Sequence, residues 1–226
     1  MDSRLLLCDG VRVSTSPPLS ESLHDACVLR STTPRAWALA AAQNLPLLLI
    51  EQAHLEKKAA AAAARFLFAL PQEIWIQRAL SYLAREELVH FERTLRQLEL
   101  RGIRYVQQAP SGYAGKLKAA CASAAPERVI DELLVSALIE ARSHERMQAL
   151  GHALAGTDPD ASEFYLDLVE AEARHRCVYL DIAVAMSDEA TVRSRFQPLS
   201  LRESELVAAK DQAVHLHGGH GAYDGV

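Results

Sequence analysis

The sequence predicts an all-α protein, and three observations support this class. Several long stretches place apolar residues at helical spacing, prolines and glycines separate these stretches, and no segment of useful length alternates apolar and polar residues as a strand would. Half of the 226 residues are hydrophobic, which is enough for one well-buried core and short for two. We therefore expect a single domain over residues 1–226.

The chain begins with a loop-rich lead-in over residues 1–33, where prolines, serines and threonines interrupt any regular pattern. A helix start follows, because Thr33 is a good N-cap residue and Pro34 suits the first helical turn. We expect a short helix from there to about Gln43.

A bundle of four long helices is expected within residues 34–186, where apolar periodicity is strongest. Pro71, Gly102, Pro126 and Gly156 mark the places where these helices begin or end. The predicted long helices span about residues 44–70, 74–100, 126–154 and 158–186.

Shorter elements fill the remaining chain. Residues 103–115 lack helical periodicity, and a short helix is expected around residues 116–123. Within residues 187–226, Ser200 and Glu203 have the spacing of a capping box, which predicts one more short helix. The end of the chain is rich in glycine, and we expect a flexible tail that contains His215, His217 and His220.

Composition and charge exclude several classes of protein. No apolar run is long enough to cross a bilayer, and the N-terminus does not resemble a signal peptide. The four cysteines form no C-x-x-C pair, which argues against a zinc or rubredoxin-type site and is typical of reduced thiols. We therefore expect a cytoplasmic protein with no membrane partner. The overall net charge of −5 gives no sign of nucleic-acid binding.

Two Glu-x-x-His motifs are the strongest chemical signal in the sequence. Glu87 and His90 lie in the second long helix, and Glu172 and His175 lie in the fourth. Residues three apart lie on the same helical face, so both side chains can reach one metal ion. One such motif arises easily by chance, whereas two in long amphipathic helices are a much stronger indication.

Single carboxylates follow apolar runs in the other two long helices. Glu51 follows residues 47–50, and Glu140 follows residues 133–139. The order Glu, Glu-x-x-His, Glu, Glu-x-x-His on successive helices resembles that of ferritin-like dinuclear carboxylate bundles. The predicted architecture is therefore a ferritin-like four-helix bundle with extra short helices.

This set of residues predicts a pair of iron or manganese ions. Four carboxylates inside an apolar bundle would repel each other strongly unless cations neutralise them. Two divalent ions balance four negative charges, and mixed carboxylate and imidazole ligation suits iron or manganese. The predicted metal ligands are Glu51, Glu87, His90, Glu140, Glu172 and His175.

Other titratable residues lie close to these ligands in sequence. His54 completes a Glu-x-x-His match with Glu51, and His144 lies one turn beyond Glu140. Because an ion pair rarely needs four histidines, we expect these two to line the pocket or hydrogen-bond to ligands. Solvated charges, or hydrogen-bond partners of the ligands, are expected at Glu56, Glu86 and Glu170.

Three stretches of the bundle resemble one enzyme family. They are residues 48–60, with their Glu-Lys-Lys-Ala sequence, residues 85–92 and residues 170–175. Over about residues 34–186 the sequence is similar to the tRNA 2-methylthio-isopentenyladenosine hydroxylases. The resemblance implies a non-haem di-iron centre, held by the six predicted ligands, that uses O2 to hydroxylate the isopentenyl side chain of the modified adenosine next to the anticodon. Gln52 departs from the histidine expected in relatives, so no role is transferred to it.

A basic segment beyond the second motif suggests an RNA partner. Between residues 93 and 118, six basic residues stand against one acidic residue, Glu99. Tyr105 and Tyr113 could stack on loop bases. A solvated helix end is the alternative, since cations are favoured at helix C-termini. The predicted tRNA contacts are Arg93, Arg96, Arg101, Arg104, Lys116 and Lys118.

Hydroxylation with O2 needs two electrons per turnover, and the sequence contains no dinucleotide, flavin or iron–sulfur motif. We therefore expect a separate electron-donor protein. A ferritin-like ferroxidase or iron-handling protein, or another di-iron oxidase, is the main alternative because it uses similar ligands. A non-enzymatic helical adaptor remains if the ligand pattern is coincidental, and an iron assay distinguishes it from all the others.

Overall fold

The protein is described by a computed structural model that covers residue 23 and residues 26–70, 73–211 and 213–223. These residues form seven helices and no strand, which confirms the all-α prediction. In chain order the helices are α1 (Arg35–Gln43), α2 (Leu45–Ala69), α3 (Ile74–Leu100), α4 (Tyr113–Lys118), α5 (Glu127–Leu154), α6 (Pro159–Ala185) and α7 (Glu189–Ala208).

The four long helices α2, α3, α5 and α6 contain 25, 27, 28 and 27 residues. Short connections join α2 to α3 and α5 to α6, so each pair is an antiparallel hairpin. Helix α2 packs against α3, α3 against α6, and α6 against α5. As a result α2 and α5 face each other across a gap, which is where the cavity described below lies.

The apolar core is divided into two clusters along the length of the bundle. On α2, for example, Ala53 belongs to one cluster and Ala63 belongs to the other. Neither cluster has a buried member in the middle of the four long helices. This middle layer can therefore accommodate polar groups. It consists of residues 54–62 in α2, 84–97 in α3, 139–146 in α5 and 169–178 in α6.

The four long helices lie close to their predicted bounds, whereas the shorter elements differ. Helix α4 begins immediately after Gly112, whose φ of 80° favours glycine, and ends earlier than predicted. Helix α7 begins after Asp188, which accepts a hydrogen bond from the Thr191 N–H at 2.7 Å. The capping box expected at Ser200 is therefore wrong, because Ser200 lies inside α7.

The C-terminal end also differs from the expected flexible tail. Residues 216–220 are buried against the rest of the protein. Of the predicted lead-in, residues 1–22, 24 and 25 lie outside the described residues. None of the helices in the described parts of the chain combines the length and the apolar character needed to cross a membrane.

Candidate metal centre

The middle layer of the bundle contains a cluster of carboxylates and imidazoles. Glu87 and His90 extend from α3, and Glu172 and His175 extend from α6. Two overlapping groups are present, and within each group one potential ligand atom per residue lies within 4.8 Å of the others. The groups are Glu56, Glu87, His90 and Glu172, and Glu87, Glu140, Glu172 and His175.

Buried polar atoms without hydrogen bonds support a metal site here. Both oxygens of Glu87, Oε1 of Glu172 and Nδ1 of His90 and His175 make no hydrogen bond within the described protein. His175 Nδ1 lies 2.8 Å from Glu87 Oε1, a separation that suits two ligands of one ion. Unsatisfied polar groups at this depth are costly. Two cations would satisfy them, so the residues present fit a dinuclear centre.

The clustered carboxylates have strongly perturbed acidities. Burial raises the pKa of Glu56, Glu140 and Glu172 well above the ordinary value, and the charges of neighbouring carboxylates raise it further. Burial would also raise the pKa of Glu87, but the close approach of the His175 and His90 rings outweighs it and lowers the pKa. Protons or cations must therefore neutralise part of the cluster.

The ligand candidates are oriented by side chains around them. His175 Nε2 lies 2.9 Å from Glu86 Oε2, so Nδ1 of the ring is directed towards the cluster. Burial lowers the pKa of His175, but Glu86 and Glu87 more than compensate and raise it to about 10. A carboxylate bound to the far nitrogen of a histidine ligand fixes the tautomer and the ring orientation. The side-chain amide of Gln52 similarly orients Glu56 by donating a hydrogen bond to its Oε1.

The structure brings together five of the six residues predicted as ligands, and Glu51 is the exception. The Glu51 carboxylate instead accepts a hydrogen bond from the Leu216 N–H at 2.8 Å and lies 3.1 Å from His215 Nδ1. Glu56, which we expected to be a solvated charge or a hydrogen-bond partner of the ligands, belongs to the cluster. The reason is geometric, since five residues rotate a helix by about 140°. Glu51 and Glu56 therefore point to different sides of α2.

A signal for Glu56 was present in the sequence. The buried residues Ala60, Ala63 and Phe66 form a stripe along the second half of α2. Extending this stripe back by one turn reaches Glu56, and by two turns reaches Gln52. The apolar run at residues 47–50 favoured Glu51 as the ligand instead.

The two additional histidines contact backbone carbonyls rather than the cluster. His54 Nε2 lies 2.8 Å from the Val106 carbonyl oxygen, and His54 Nδ1 lies 3.1 Å from the Tyr105 hydroxyl. His144 Nδ1 lies 3.0 Å from the Val169 carbonyl oxygen. Neither histidine belongs to the ligand groups found in the described residues.

A cavity of about 410 Å3 connects the cluster to the surface between α2 and α5. Three of the clustered carboxylates line its inner end, Glu56, Glu140 and Glu172. Its walls are largely apolar, and the exposed cations Lys58, Arg65 and Lys118 lie at its outer part. This volume falls in the range of about 300–1,000 Å3 that is typical of small-molecule sites.

Three of the basic residues predicted to contact tRNA are paired with carboxylates. Arg93 reaches α6, where its guanidinium lies 3.1 Å from Asp167 Oδ2. Arg101 donates to both carboxylate oxygens of Asp158, at 2.9 and 3.0 Å, and so supports the residue that caps α6. Arg96 pairs with Glu99 on the exposed surface.

The other three predicted contacts, Arg104, Lys116 and Lys118, are exposed. Lys118 is the one that lines the cavity. It joins there two cations of α2, Lys58 and Arg65, that the sequence analysis did not include.

An all-helical bundle with a carboxylate and histidine cluster in its middle layer defines a ferritin-like fold. Comparison with solved structures agrees: a protein from Synechococcus, described as having aldehyde deformylating oxygenase activity, superimposes with a TM-score of 0.80 at 34% identity. The match covers 84% of this chain and 96% of that protein. The predicted ferritin-like architecture is confirmed.

The chain belongs to the tRNA-(MS2IO6A)-hydroxylase (MiaE) family, whose model matches residues 21–218. It is 36% identical over 187 residues to the tRNA 2-(methylsulfanyl)-N(6)-isopentenyladenosine(37) hydroxylase of Pseudomonas putida, covering 83% of this chain and 90% of that protein. A hydroxylase of the same name from Salmonella typhimurium is 31% identical over 240 residues, and the match covers 84% of this chain and 87% of that protein. The family resemblance seen in the sequence is confirmed.

Proposed function

We propose that this protein is an O2-dependent di-iron monooxygenase that hydroxylates the isopentenyl side chain of 2-methylthio-isopentenyladenosine in tRNA, next to the anticodon. The observation that carries the proposal is the cavity that leads from the surface to Glu56, Glu140 and Glu172. Membership of the family and the names of the two relatives supply the substrate and the reaction.

We propose that Glu56, Glu87, His90, Glu140, Glu172 and His175 hold two iron ions, with Glu56 replacing Glu51 in the set expected from the sequence. Carboxylate and imidazole ligands suit iron, and four carboxylates balance two divalent charges. When bound, the two irons would supply the activation of O2 that an unreactive C–H bond requires. The protein's own contribution is to bind and orient the substrate and to limit access of water.

The cavity suits a prenyl group attached to a flat base. Small and apolar side chains line it close to the carboxylates, so a hydrocarbon chain can approach the metal centre without leaving polar groups unpaired. An adenine in a single-stranded loop can turn outward and enter a pocket more easily than a base within a duplex. The apolar wall residues include Ala59, Ala62, Ile139 and Met147.

The cavity opening also indicates where tRNA would bind. Lys58, Arg65 and Lys118 place positive charge around it, although Arg65 is partly neutralised by Glu132 at 2.8 Å. Phosphates on either side of a flipped base would lie close to these cations. The exposed Arg104 and Lys116 are further candidates, whereas Arg93, Arg96 and Arg101 are already paired with carboxylates.

Electron supply and cellular location complete the proposal. Each hydroxylation consumes one O2, two electrons and two protons and yields one hydroxyl group and one water. We propose that a separate electron-transfer protein delivers the electrons in the cytoplasm. Cys27 and Cys121 are free thiols, as is usual in a reducing compartment.

The proposed function can be tested with the purified, iron-loaded protein. Reduced protein is incubated with O2 and prenylated tRNA, and the nucleosides are analysed by mass spectrometry. We expect the modified nucleoside to gain one oxygen, with at most one turnover of the reduced centre unless an electron donor is present. Rapid oxidation of added Fe2+ without a change in the tRNA would support the ferroxidase alternative instead.

A further inference from the structure

The C-terminal segment, defined as residues 213–223, is an integral part of the bundle. The guanidinium of Arg146 donates to the backbone carbonyls of His215 at 3.2 Å, Leu216 at 2.7 Å and Gly218 at 2.9 Å. Arg146 is only 1% exposed, and a buried guanidinium needs partners for its donors. The segment supplies these partners, so its position is fixed by the interior of the protein.

The glycines of this segment fit a close contact with the end of α7. A Cβ added at Gly219 would lie 2.1 Å from the Ala209 carbonyl oxygen, and one at Gly221 would lie 2.1 Å from the Ala208 carbonyl oxygen. The Gly221 N–H donates to the Ala209 carbonyl at 2.9 Å. Glycine is therefore required here for close packing rather than for flexibility.

The segment bridges the two helices on either side of the cavity. On one side it is bound by Glu51 of α2, and on the other by Arg146 of α5. Between these two anchors, Leu216 and His217 line the same cavity as Glu56 and Glu140. The segment thus closes part of the gap between α2 and α5 and forms a wall of the cavity.

His217 presents a neutral, immobilised ring at this wall. Its Nε2 lies 2.9 Å from the Ser143 hydroxyl oxygen, and its ring centroid lies 5.5 Å from that of the buried Tyr113. Burial and the nearby charges of Arg146 and Arg142 lower the pKa of His217 to about 3. His217 therefore lines the cavity with an uncharged aromatic ring that is held in place by Ser143 and packed near Tyr113.

We propose that the C-terminal segment is a substrate-recognition element and that the ring of His217 stacks on the modified adenine. The inference rests on the proposed function, because it takes the base to occupy this cavity. Aromatic side chains are the usual partners of unstacked RNA bases, and stacking is largely independent of hydrogen bonding. The cavity then has a division of roles, in which the carboxylate end receives the prenyl chain and the His217 wall contacts the base.

The test measures binding rather than turnover. Iron-loaded protein is kept without O2, and its affinity is measured for two anticodon stem-loop RNAs, one with 2-methylthio-isopentenyladenosine and one with an abasic nucleotide at the same position. His217→Asn removes the aromatic ring but keeps a polar partner for Ser143, whereas His217→Phe keeps a flat ring. Gly219→Ala displaces the segment without altering a cavity side chain. His152→Ala, at an exposed histidine of α5, is the matched control.

We expect His217→Asn and Gly219→Ala to lose about tenfold in affinity for the modified RNA and to bind the abasic RNA as the wild type does. His217→Phe should retain most of the preference for modified RNA, and His152→Ala all of it. Iron content and melting temperature are measured for every variant, which identifies any variant that is misfolded. If His217→Asn is misfolded, the comparison of His217→Phe with wild type decides.

Two other results would overturn the inference. An unchanged preference for modified RNA in His217→Asn, or an equal loss for both RNAs, would show that the ring does not contact the base, while the proposed function would stand. A wild-type protein that binds both RNAs equally and hydroxylates neither would contradict the proposed function, and the inference would fall with it.

Discussion

The carboxylate of Glu51 accepts a hydrogen bond from the backbone N–H of Leu216 at 2.8 Å, across 165 positions of the chain. This contact explains how a buried carboxylate on an apolar helix serves a structural purpose. Glu51 holds the C-terminal segment in place, and Glu56 on another side of the same helix joins the carboxylate cluster.

The first prediction separates these two glutamates. Glu56→Ala should lose iron, because it removes a carboxylate from the cluster. Glu51→Ala should keep iron but lose about 1–3 kcal/mol of unfolding free energy, because the buried Leu216 N–H loses its acceptor. Iron analysis and denaturant unfolding measure the two effects.

Glu51→Gln is the matched control, since its amide oxygen can still accept from Leu216, and it should be more stable than Glu51→Ala. Loss of iron in Glu51→Gln together with full iron content in Glu56→Ala would restore the ligand set expected from the sequence.

Part of this site could be predicted from sequence, and the reason is local geometry. The Glu-x-x-His motifs of α3 and α6 place their side chains on one helical face, so Glu87, His90, Glu172 and His175 come together once the helices pack. The prediction of Glu51 as a metal ligand differs from the structure because a segment far away in the sequence buries this side chain. No pattern around residue 51 reveals that residues 215 and 216 cover that side of α2.

The same distinction applies to the fold. The long helices follow from apolar periodicity and strong breakers, both of which are local. The C-terminal segment was misjudged because glycine permits both flexibility and close packing, and only the contact with Ala208 and Ala209 decides between them. The ion pairs of the basic residues were likewise hidden from the sequence, because the partners of Arg93 and Arg101 lie on α6 or at its cap.

The second prediction concerns the histidines. His90→Ala and His175→Ala should each reduce iron content and activity together. His54→Ala and His144→Ala should retain iron, because both rings contact backbone carbonyls. Metal analysis of the four variants tests this, and full iron loading of His90→Ala and His175→Ala would remove them from the centre.

The third prediction concerns the residue behind His175. Glu86→Gln keeps the size of the side chain but weakens its interaction with His175 Nε2, so iron affinity should fall about 10–100-fold. Competition with a chelator measures the affinity. Glu170→Gln, on the same helix as His175, is the control, and an equal loss in both variants would indicate a nonspecific effect of charge.

The fourth prediction concerns pH. In metal-free protein the pKa values of Glu56, Glu140 and Glu172 are raised above 4.5, so the stability they contribute is complete below pH 4.5 and is lost as pH rises through the folded-state values. His175, with its pKa raised from 6.5 to about 10, adds stability below pH 6.5 that is lost towards pH 10. The lowered pKa of Glu86, about 2, acts in the opposite direction but only in acid.

Iron should reverse this trend, because its ligands must be deprotonated to bind. The difference in unfolding free energy between iron-loaded and metal-free protein should therefore grow from about pH 5 to about pH 8. Anaerobic denaturant titrations at several pH values measure it. A difference that does not depend on pH would contradict the assignment of these carboxylates as metal ligands.

The fifth prediction concerns the tRNA surface. Neutralising Lys58 and Lys118 together should weaken tRNA binding. It should also reduce the slope of log affinity against log salt concentration by the amount expected for about two phosphate contacts. Neutralising Arg93 and Arg96, which are paired with carboxylates on exposed surfaces, is the matched control and should have a smaller effect. The opposite order of effects would place tRNA on the α3 side of the bundle.

The most direct test of the central claim uses isotopically labelled oxygen. Reduced, iron-loaded wild-type protein and the Glu51→Gln and Glu56→Ala variants are each given prenylated tRNA and 18O2, and the nucleosides are analysed by mass spectrometry. We predict that wild type and Glu51→Gln produce a hydroxylated nucleoside carrying 18O and that Glu56→Ala does not. A product whose oxygen comes from water, or full activity in Glu56→Ala, would contradict an oxygenase centre built on the Glu56 cluster.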